Sequence, residues 1–225
     1  MNKLSTLLFF LVGLLLFSCQ QEDDEQISFF NGSHYAPLAT GLNRTYQVDS
    51  IIYNDFTGSI DTISFQRQER VGKAFRTLEG RLAYNCLIYE RKDDTSTWVE
   101  RKAYEELKNN LRYERREDNQ SVIHLVFPVR EDQRWNANAL NPKEEVNYTY
   151  RNLHKAYNLS DQFYDSTVTV LQRENINLIS RVKIEEVYAT NRGMIYRYDE
   201  NLQTDFDGSI QSGYKATLKL VSLNP

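Results

Sequence analysis

The side chains with chemistry to offer are scattered along this sequence, and their spacing decides what they can do. Two cysteines, Cys19 and Cys86, are too few for a disulfide framework. Cys19 ends a long apolar run, where its thiol is open to covalent modification. Cys86 alternates with Tyr84 and Ile88. That pattern reads as a small buried hydrophobe on a strand rather than a nucleophile, because no cationic residue on its own face would stabilise a thiolate. The three histidines, His34, His124 and His154, lie far apart and lack the HxH, HExxH or HxxxH spacings that present two ligands from one element. Neither a metal nor a cofactor is expected. His124 alternates with apolar residues, whereas His34 and His154 fall in aromatic, Asn-rich stretches that read as loops. Carboxylates are plentiful, with Asp49, Asp55, Asp61, Asp165 and Glu174 at expected strand or turn positions. Two carboxyls at the right separation suffice for glycoside hydrolysis, but the ordinary work of such residues is solubility and turn formation. The segments Asp55 to Asp61 and Asp199 to Gly208 are acidic and contain glycine, yet neither fits an EF-hand. G-x-S-x-G, SxxK, P-loop and G-x-G-x-x-G sequences are absent.

The elements that must position these residues are strands. The sequence holds 15 Tyr and is rich in Thr, Val and Ile, which favours extended backbone. Tyr46, Val48 and Ile52 share one face of an extended run, and a turn-like Asn54-Asp55-Phe56-Thr57-Gly58 joins it to a second run, so the pair reads as a β-hairpin. Leu82, Tyr84, Cys86 and Ile88 share a face, as do Ile123, Leu125 and Phe127 before Pro128. Segment 98–117 suits either a helix over its first half or two strands joined at Asn109-Asn110, and the second reading is preferred. Segment 151–164 is expected to be a short helix or an ordered loop. Ser212 to Ser222, with Tyr214, Ala216, Leu218 and Leu220 on one face, is expected to be a paired strand rather than a loose tail. Strand-lining Tyr46, Tyr53, Tyr84, Tyr89, Tyr104, Tyr113, Tyr148, Tyr150 and Tyr196 serve as strand residues with one wet end, or line a groove for sugar, peptide or lipid. Helix–strand alternation is missing. The fold class is mainly β: one antiparallel sheet, strongly curved or barrel-like in the lipocalin manner, with at most one or two short helices.

Of 225 residues, 40% are hydrophobic and 26% charged, a composition that folds. Lys+Arg 27 against Asp+Glu 31 gives a formal charge of -4. A generally basic surface is excluded, and nucleic acid is not an expected partner.

The N-terminus carries an address. After Lys3, the run Leu7 to Phe17 is apolar apart from Gly13, about eleven residues, the length of a signal-peptide h-region and too short to span a bilayer. Leu16-Phe17-Ser18-Cys19 resembles a bacterial lipobox, with Phe17 where a smaller residue is usual. The resemblance implies diacylglyceryl transfer to the Cys19 thiol, cleavage after Ser18 and anchoring by palmitate-type chains. Each buried CH₂ then contributes ~0.8 kcal/mol, so two or three chains retain a protein almost permanently. Gln20, Gln21, Glu22, Asp23, Asp24 and Glu25 follow. They form a solvated acidic tether, and Cys followed by a polar pair and acidic residues resembles the surface-export signal of Bacteroidota lipoproteins. Two further segments, Ala36-Pro37-Leu38-Ala39-Thr40-Gly41-Leu42-Asn43-Arg44-Thr45-Tyr46 and Val187-Tyr188-Ala189-Thr190-Asn191-Arg192-Gly193-Met194-Ile195, are similar to those of uncharacterised members of the same group, which has no assigned activity to import. The expected organisation is a signal peptide over 1–18, a lipidated Cys19 and tether over 19–34, and one β domain over 35–225.

The leading expectation is a lipid-anchored outer-membrane protein, at the cell surface or else facing the periplasm, with a non-catalytic binding or structural role. Its partner would be an envelope protein, a glycan or a hydrophobic ligand. The alternatives are a glycan or ester hydrolase with paired carboxylates, and a carrier of lipid or another hydrophobic ligand in a dry β cavity. The pocket discriminates between them.

Overall fold

Period-two alternation runs through nearly all of the sequence after residue 43. The computed structural model, which describes residues 31–224, shows that alternation as one twelve-stranded antiparallel sheet. The first six strands are β1 (Asn43–Tyr53), β2 (Ile60–Arg76), β3 (Leu82–Arg91), β4 (Val99–Lys108), β5 (Arg112–Glu117) and β6 (Gln120–Val126). The second six are β7 (Arg134–Asn136), β8 (Asn147–Leu159), β9 (Gln162–Ile176), β10 (Ser180–Ala189), β11 (Gly193–Thr204) and β12 (Ile210–Asn224). The spatial order is β6-β5-β4-β3-β2-β1-β12-β11-β10-β9-β8-β7. Two up-and-down meanders are therefore joined where the first strand pairs with the last, Val48 opposite Leu218. The C-terminal run is a central strand, as its alternation predicts, held by β1 on one side and β11 on the other.

The sheet curls until its outer strands nearly meet. The Ile123 N–H donates to the Ala137 carbonyl at 2.9 Å, and Trp135 Nε1 donates to the Ile123 carbonyl at 2.9 Å. The Tyr150 hydroxyl accepts from the Val126 N–H at 2.9 Å and donates to the Val126 carbonyl at 2.8 Å. Side chains and a single backbone bond thus cover edges that would otherwise be open to aggregation. The result is a nearly closed barrel with almost no helix among the described residues.

One ambiguous segment takes its preferred form and two local expectations are corrected. Segment 98–117 is two strands, β4 and β5, joined at Asn109-Asn110 as preferred from the sequence, and Asn109 Oδ1 accepts from the Leu111 and Arg112 N–H groups in the turn. Pairing of Glu105 and Glu106 with partners on both neighbouring strands overrides the Glu/Lys helix propensity of that stretch. Segment 151–164 is neither helix nor loop but the end of β8 and the start of β9, with register shifts after Arg151. His154, expected in a loop, lies on β8 with φ 57°.

The two ends of the barrel differ. At one end lie the β1–β2, β3–β4, β5–β6, β9–β10 and β11–β12 turns; the interior opens there. The other end is sealed by the segment leading to β1, with the 3-10 turn Ser33–Tyr35 buried throughout. Tyr35 and Ala36 join a cluster with Phe127, Tyr150, Val168 and Tyr188. Leu38 and Leu42 pack on Val71, Cys86, Ile88 and Tyr104, and Lys108 Nζ donates to the Ala36 carbonyl at 2.8 Å. A third cluster holds Tyr46, Val48, Leu218 and Leu220, each Leu contributing roughly 1.5–3 kcal/mol by burial. Residues 1–18, Cys19 and Gln20, Gln21, Glu22, Asp23, Asp24 and Glu25 lie outside the described residues.

Candidate functional site

The interior is where the fold departs from an ordinary apolar core. Cross-strand register sets Arg44 opposite Glu69, Glu106 opposite Arg115 and Glu186 opposite Arg197. Opposite charges on facing strands are mutually stabilising, and these share the inward face with Val48, Val71 and Cys86 by alternation. Arg44 Nη1 donates to Glu106 at 3.0 Å, and Arg115 Nη2 donates to Glu69 at 2.9 Å. The Tyr104 hydroxyl lies 3.2 Å from both Glu69 and Glu106 and accepts from Arg115 at 3.0 Å. The Arg115 guanidinium also stacks over the Tyr104 ring, 4.1 Å from its centroid.

A second knot forms on Glu186. Arg197 donates to one oxygen, the Tyr188 hydroxyl donates to the other at 2.6 Å, and His124 Nδ1 lies 3.4 Å from it. Arg197 continues to Asp199 at 2.9 Å, which also accepts from the Tyr214 hydroxyl at 3.0 Å.

The two knots meet on the floor of a cleft of about 470 Å³ that opens between the turns of the unsealed end. Glu69, Arg115, His124, Glu186 and Arg197 form the floor. Arg67, Asp199 and Tyr214 stand higher, and Val48, Phe65, Ala216 and Leu218 supply apolar wall. Arg67 is held by Glu90 at 2.8 Å. Below the floor a gap of only about 20 Å³ remains, between Arg44, Tyr46, Tyr113 and Tyr188. The barrel is a cup whose lower part is filled.

The electrostatics follow from burial and pairing. Burial alone would raise the Glu106 carboxyl, but the Arg44 and Arg115 guanidinium groups outweigh it and hold the group at about 2. Glu186 is likewise held far below the usual carboxylate range, because His124, Arg197 and Tyr188 overcome its burial. Burial pushes the hydroxyls of Tyr104, Tyr113 and Tyr188 well above their ordinary values. The cup therefore holds fixed anions, fixed cations and neutral phenols. Glu106 and Glu186, both displaced downward, are moved away from the proton exchange near neutral pH that a general acid requires.

The residues singled out from sequence are dispersed. Asp55, Asp61, Asp165 and Glu174 are exposed, and Asp49 is half-buried against Ser64; they do not converge. Cys86 is buried on β3, as expected of a small hydrophobe, and burial pushes its thiol up. The expectation of no cationic neighbour is corrected, since Arg44 and Arg115 act on Cys86 but are outweighed by its burial and by Glu106. Of the histidines only His124 reaches the cup. His34, in the sealing turn, stacks on Tyr35 with centroids 4.4 Å apart. His154 Nδ1 lies 3.2 Å from Ser166 Oγ and 3.1 Å from the Tyr35 hydroxyl. Among the described residues no carboxylate hydrogen-bonds His154, so this Ser–His contact lacks the orienting third member of a hydrolytic triad. Nor does any group of three His, Cys, Asp or Glu among the described residues form a metal-binding cluster.

Tyr46, Tyr104, Tyr113 and Tyr150 are core residues. Tyr53, Tyr84, Tyr89, Tyr148 and Tyr196 are half-buried, Tyr89 under the Arg70 guanidinium and Tyr196 against Tyr157. The nine do not line one groove. A larger depression of about 680 Å³, between the β8–β9 hairpin and the end of β12, has only Asp165 and Arg192 as charged lining.

Sequence reasoning missed the buried ions. Their signal was present: β2 reads Phe65-x-Arg67-x-Glu69-x-Val71 and β10 reads Ile184-x-Glu186-x-Tyr188. A charge inside an otherwise apolar or aromatic alternation, matched by an opposite charge on another such strand, marks an interior ion pair.

No protein-family model matches the chain, and no curated protein matches it. Two solved structures are similar to it. One is from Bacteroides fragilis, described as an exported protein with a YmcC-like fold, at 10% identity and TM-score 0.38; the other is from Parabacteroides distasonis, described as a lipoprotein, at 9% identity and TM-score 0.42. Each comparison covers 84% of this chain and 98% of the other.

Proposed function

We propose that this chain is a lipid-anchored protein of the cell envelope, in the outer membrane, whose β barrel binds a small polar ligand without transforming it. Cys19 carries the acyl chains, and the acidic residues Glu22 to Glu25 and those after them tether the barrel and direct it to the surface. The observation that carries the binding reading is the charge-paired floor of the cup. Its carboxylates are each held by guanidinium, phenol or imidazole groups, and those whose titration is displaced are displaced downward, away from proton transfer. This favours binding over the paired-carboxylate hydrolase, and an ionic floor favours a polar ligand over a lipid in a dry cavity.

The ligand chemistry follows from the lining. Arg67, Arg115 and Arg197 face Glu69, Glu186 and Asp199, so formal charge cancels and a neutral ligand is favoured. A guanidinium beside a carboxylate offers a donor and an acceptor side by side, which suits neighbouring hydroxyl groups, while Phe65 and Tyr214 offer aromatic surface to C–H faces. A small neutral glycan fits that description.

The test has two parts. Cys19→Ala should abolish fatty-acid labelling and release the protein from membranes or leave it unprocessed; unchanged membrane association with an unlabelled native protein would contradict the anchor. Purified protein should bind at least one neutral sugar of a methyl-glycoside panel saturably and turn over no nitrophenyl glycoside or ester. Turnover abolished by Glu69→Gln or Glu186→Gln would instead establish the hydrolase.

A further inference from the structure

Two turns at the open end share a six-residue pattern. The β1–β2 turn reads Asp55-Phe56-Thr57-Gly58-Ser59-Ile60, and the β11–β12 turn reads Asp205-Phe206-Asp207-Gly208-Ser209-Ile210. Folding accounts for most of it. The Asn54 N–H donates to the Ser59 carbonyl at 3.0 Å and the Gly58 N–H to Asn54 at 2.9 Å; the Asp205 N–H donates to Ser209 and the Gly208 N–H to Asp205, both at 2.9 Å. Gly58 and Gly208 have φ of +67° and +86°, which favours glycine. Thr57 Oγ1 and Asp207 Oδ1 each accept the N–H of the following serine. The phenylalanine has no such role: Phe56 is 94% exposed and Phe206 80% exposed.

The two hairpins are neighbours, because Tyr53 at the end of β1 pairs with Gly213 near the start of β12. The β9–β10 turn extends the patch. Its Leu178 and Ile179 are exposed, and their carbonyls accept from Thr204 Oγ1 at 3.2 Å and the Thr204 N–H at 3.0 Å. Exposed apolar side chains gathered on neighbouring turns mark an interaction site, and aromatic side chains among them act as anchors.

Charge selects the occupant. Asp55, Asp61, Asp205 and Asp207 flank the two phenylalanines, and neither turn contains a Lys or Arg. An anionic lipid or polysaccharide surface would be repelled, and a second copy docked tip to tip would set aspartate against aspartate. We propose that these turns dock a partner protein whose surface offers apolar sockets for Phe56 and Phe206 within a basic rim. The inference stands independently of the ligand assigned to the cup.

Photo-cross-linking in the native cells tests it, using full-length protein with p-benzoylphenylalanine at position 56, 206 or 78. Leu78, at the sealed end, is equally exposed and serves as the control. Positions 56 and 206 should give an adduct with the same protein, absent from position 78, whose yield falls about tenfold when Asp55, Asp205 and Asp207 are changed to Lys. The purified partner should lose about tenfold or more in affinity for the Phe56→Ser/Phe206→Ser double variant, while the melting temperature of that variant stays within about 2 °C. Adducts only with lipid or with a second copy, no adduct from 56 and 206, the same adduct from 78, or a yield indifferent to charge reversal would each overturn the proposal.

Discussion

The barrel floor and the hairpin tips invert the usual distribution of residues in opposite senses. Arg44, Glu69 and Glu106 are charged and buried, with the partly buried Arg115 paired to them; Phe56 and Phe206 are aromatic and stand in solvent. The interior charges are explained by the fold itself. Each has partners delivered by register from a neighbouring strand, and Tyr104 bridges the two carboxylates. Removing charges from water is costly, and only close pairing with further hydrogen bonds offsets that cost. The exposed phenylalanines have no such internal explanation, since their turns close through backbone, Asn, Asp, Thr and Gly. An inversion explained by contacts belongs to architecture, and one without contacts points outward to a partner.

Changes that unbalance the floor should have the largest effects. Glu106→Ala leaves Arg44 buried without its main partner and should cost about 3–5 kcal/mol, read as a lowered denaturant midpoint. The double variant Arg44→Met/Glu106→Leu removes both ions and leaves Arg115 with Glu69; it should lie within about 2 kcal/mol of the native protein. A double variant as unstable as Glu106→Ala would mean that the charges, rather than their balance, hold the barrel.

Acid is the next lever. The folded Glu106 carboxyl titrates at about 2 against an ordinary 4.5, so on acidification the unfolded chain takes up this proton first. Its contribution, about 3 kcal/mol, is fully present above about pH 4.5 and is lost as pH falls toward 2. Glu186 adds to the loss in the same direction. Unfolding midpoints measured across that window should fall steeply, and Arg44→Met/Glu106→Leu should flatten the slope.

The smallest expected effect lies at the tips. Phe56→Ser and Phe206→Ser should each change stability by less than about 0.5 kcal/mol. A loss of several kcal/mol in either variant would erase the contrast by showing that the tip is part of the core.

Most of the architecture was legible because alternation is a local property. Tyr46-x-Val48, Cys86-x-Ile88 and Leu218-x-Leu220 report strand and face without reference to the rest of the chain. Segment 151–164 was illegible because β8 is irregular there, with Asn152 and His154 at positive φ, which breaks the period. The site was harder still. Glu69 and Arg115 are 46 residues apart in sequence, and only the curl of the sheet brings Glu186 toward the same floor. Acidic residues in plausible loops, Asp55 among them, attracted attention for their chemistry, whereas the structure gives that turn's interest to Phe56. The cup became visible only when the register set one strand's charge against another's.

The central claim is that the paired ions on the cup floor bind a neutral, hydroxyl-rich ligand. Nitrogen-resolved NMR of the arginine side chains tests it most directly, as methyl glycosides are added to the purified protein. The account predicts that the guanidinium signals of Arg67, Arg115 and Arg197 shift together and saturate with one sugar of the panel, while Arg81 and Arg151, outside the cup, stay still. Signals that remain fixed with every sugar, or that move only with an anionic or cationic ligand, would contradict it.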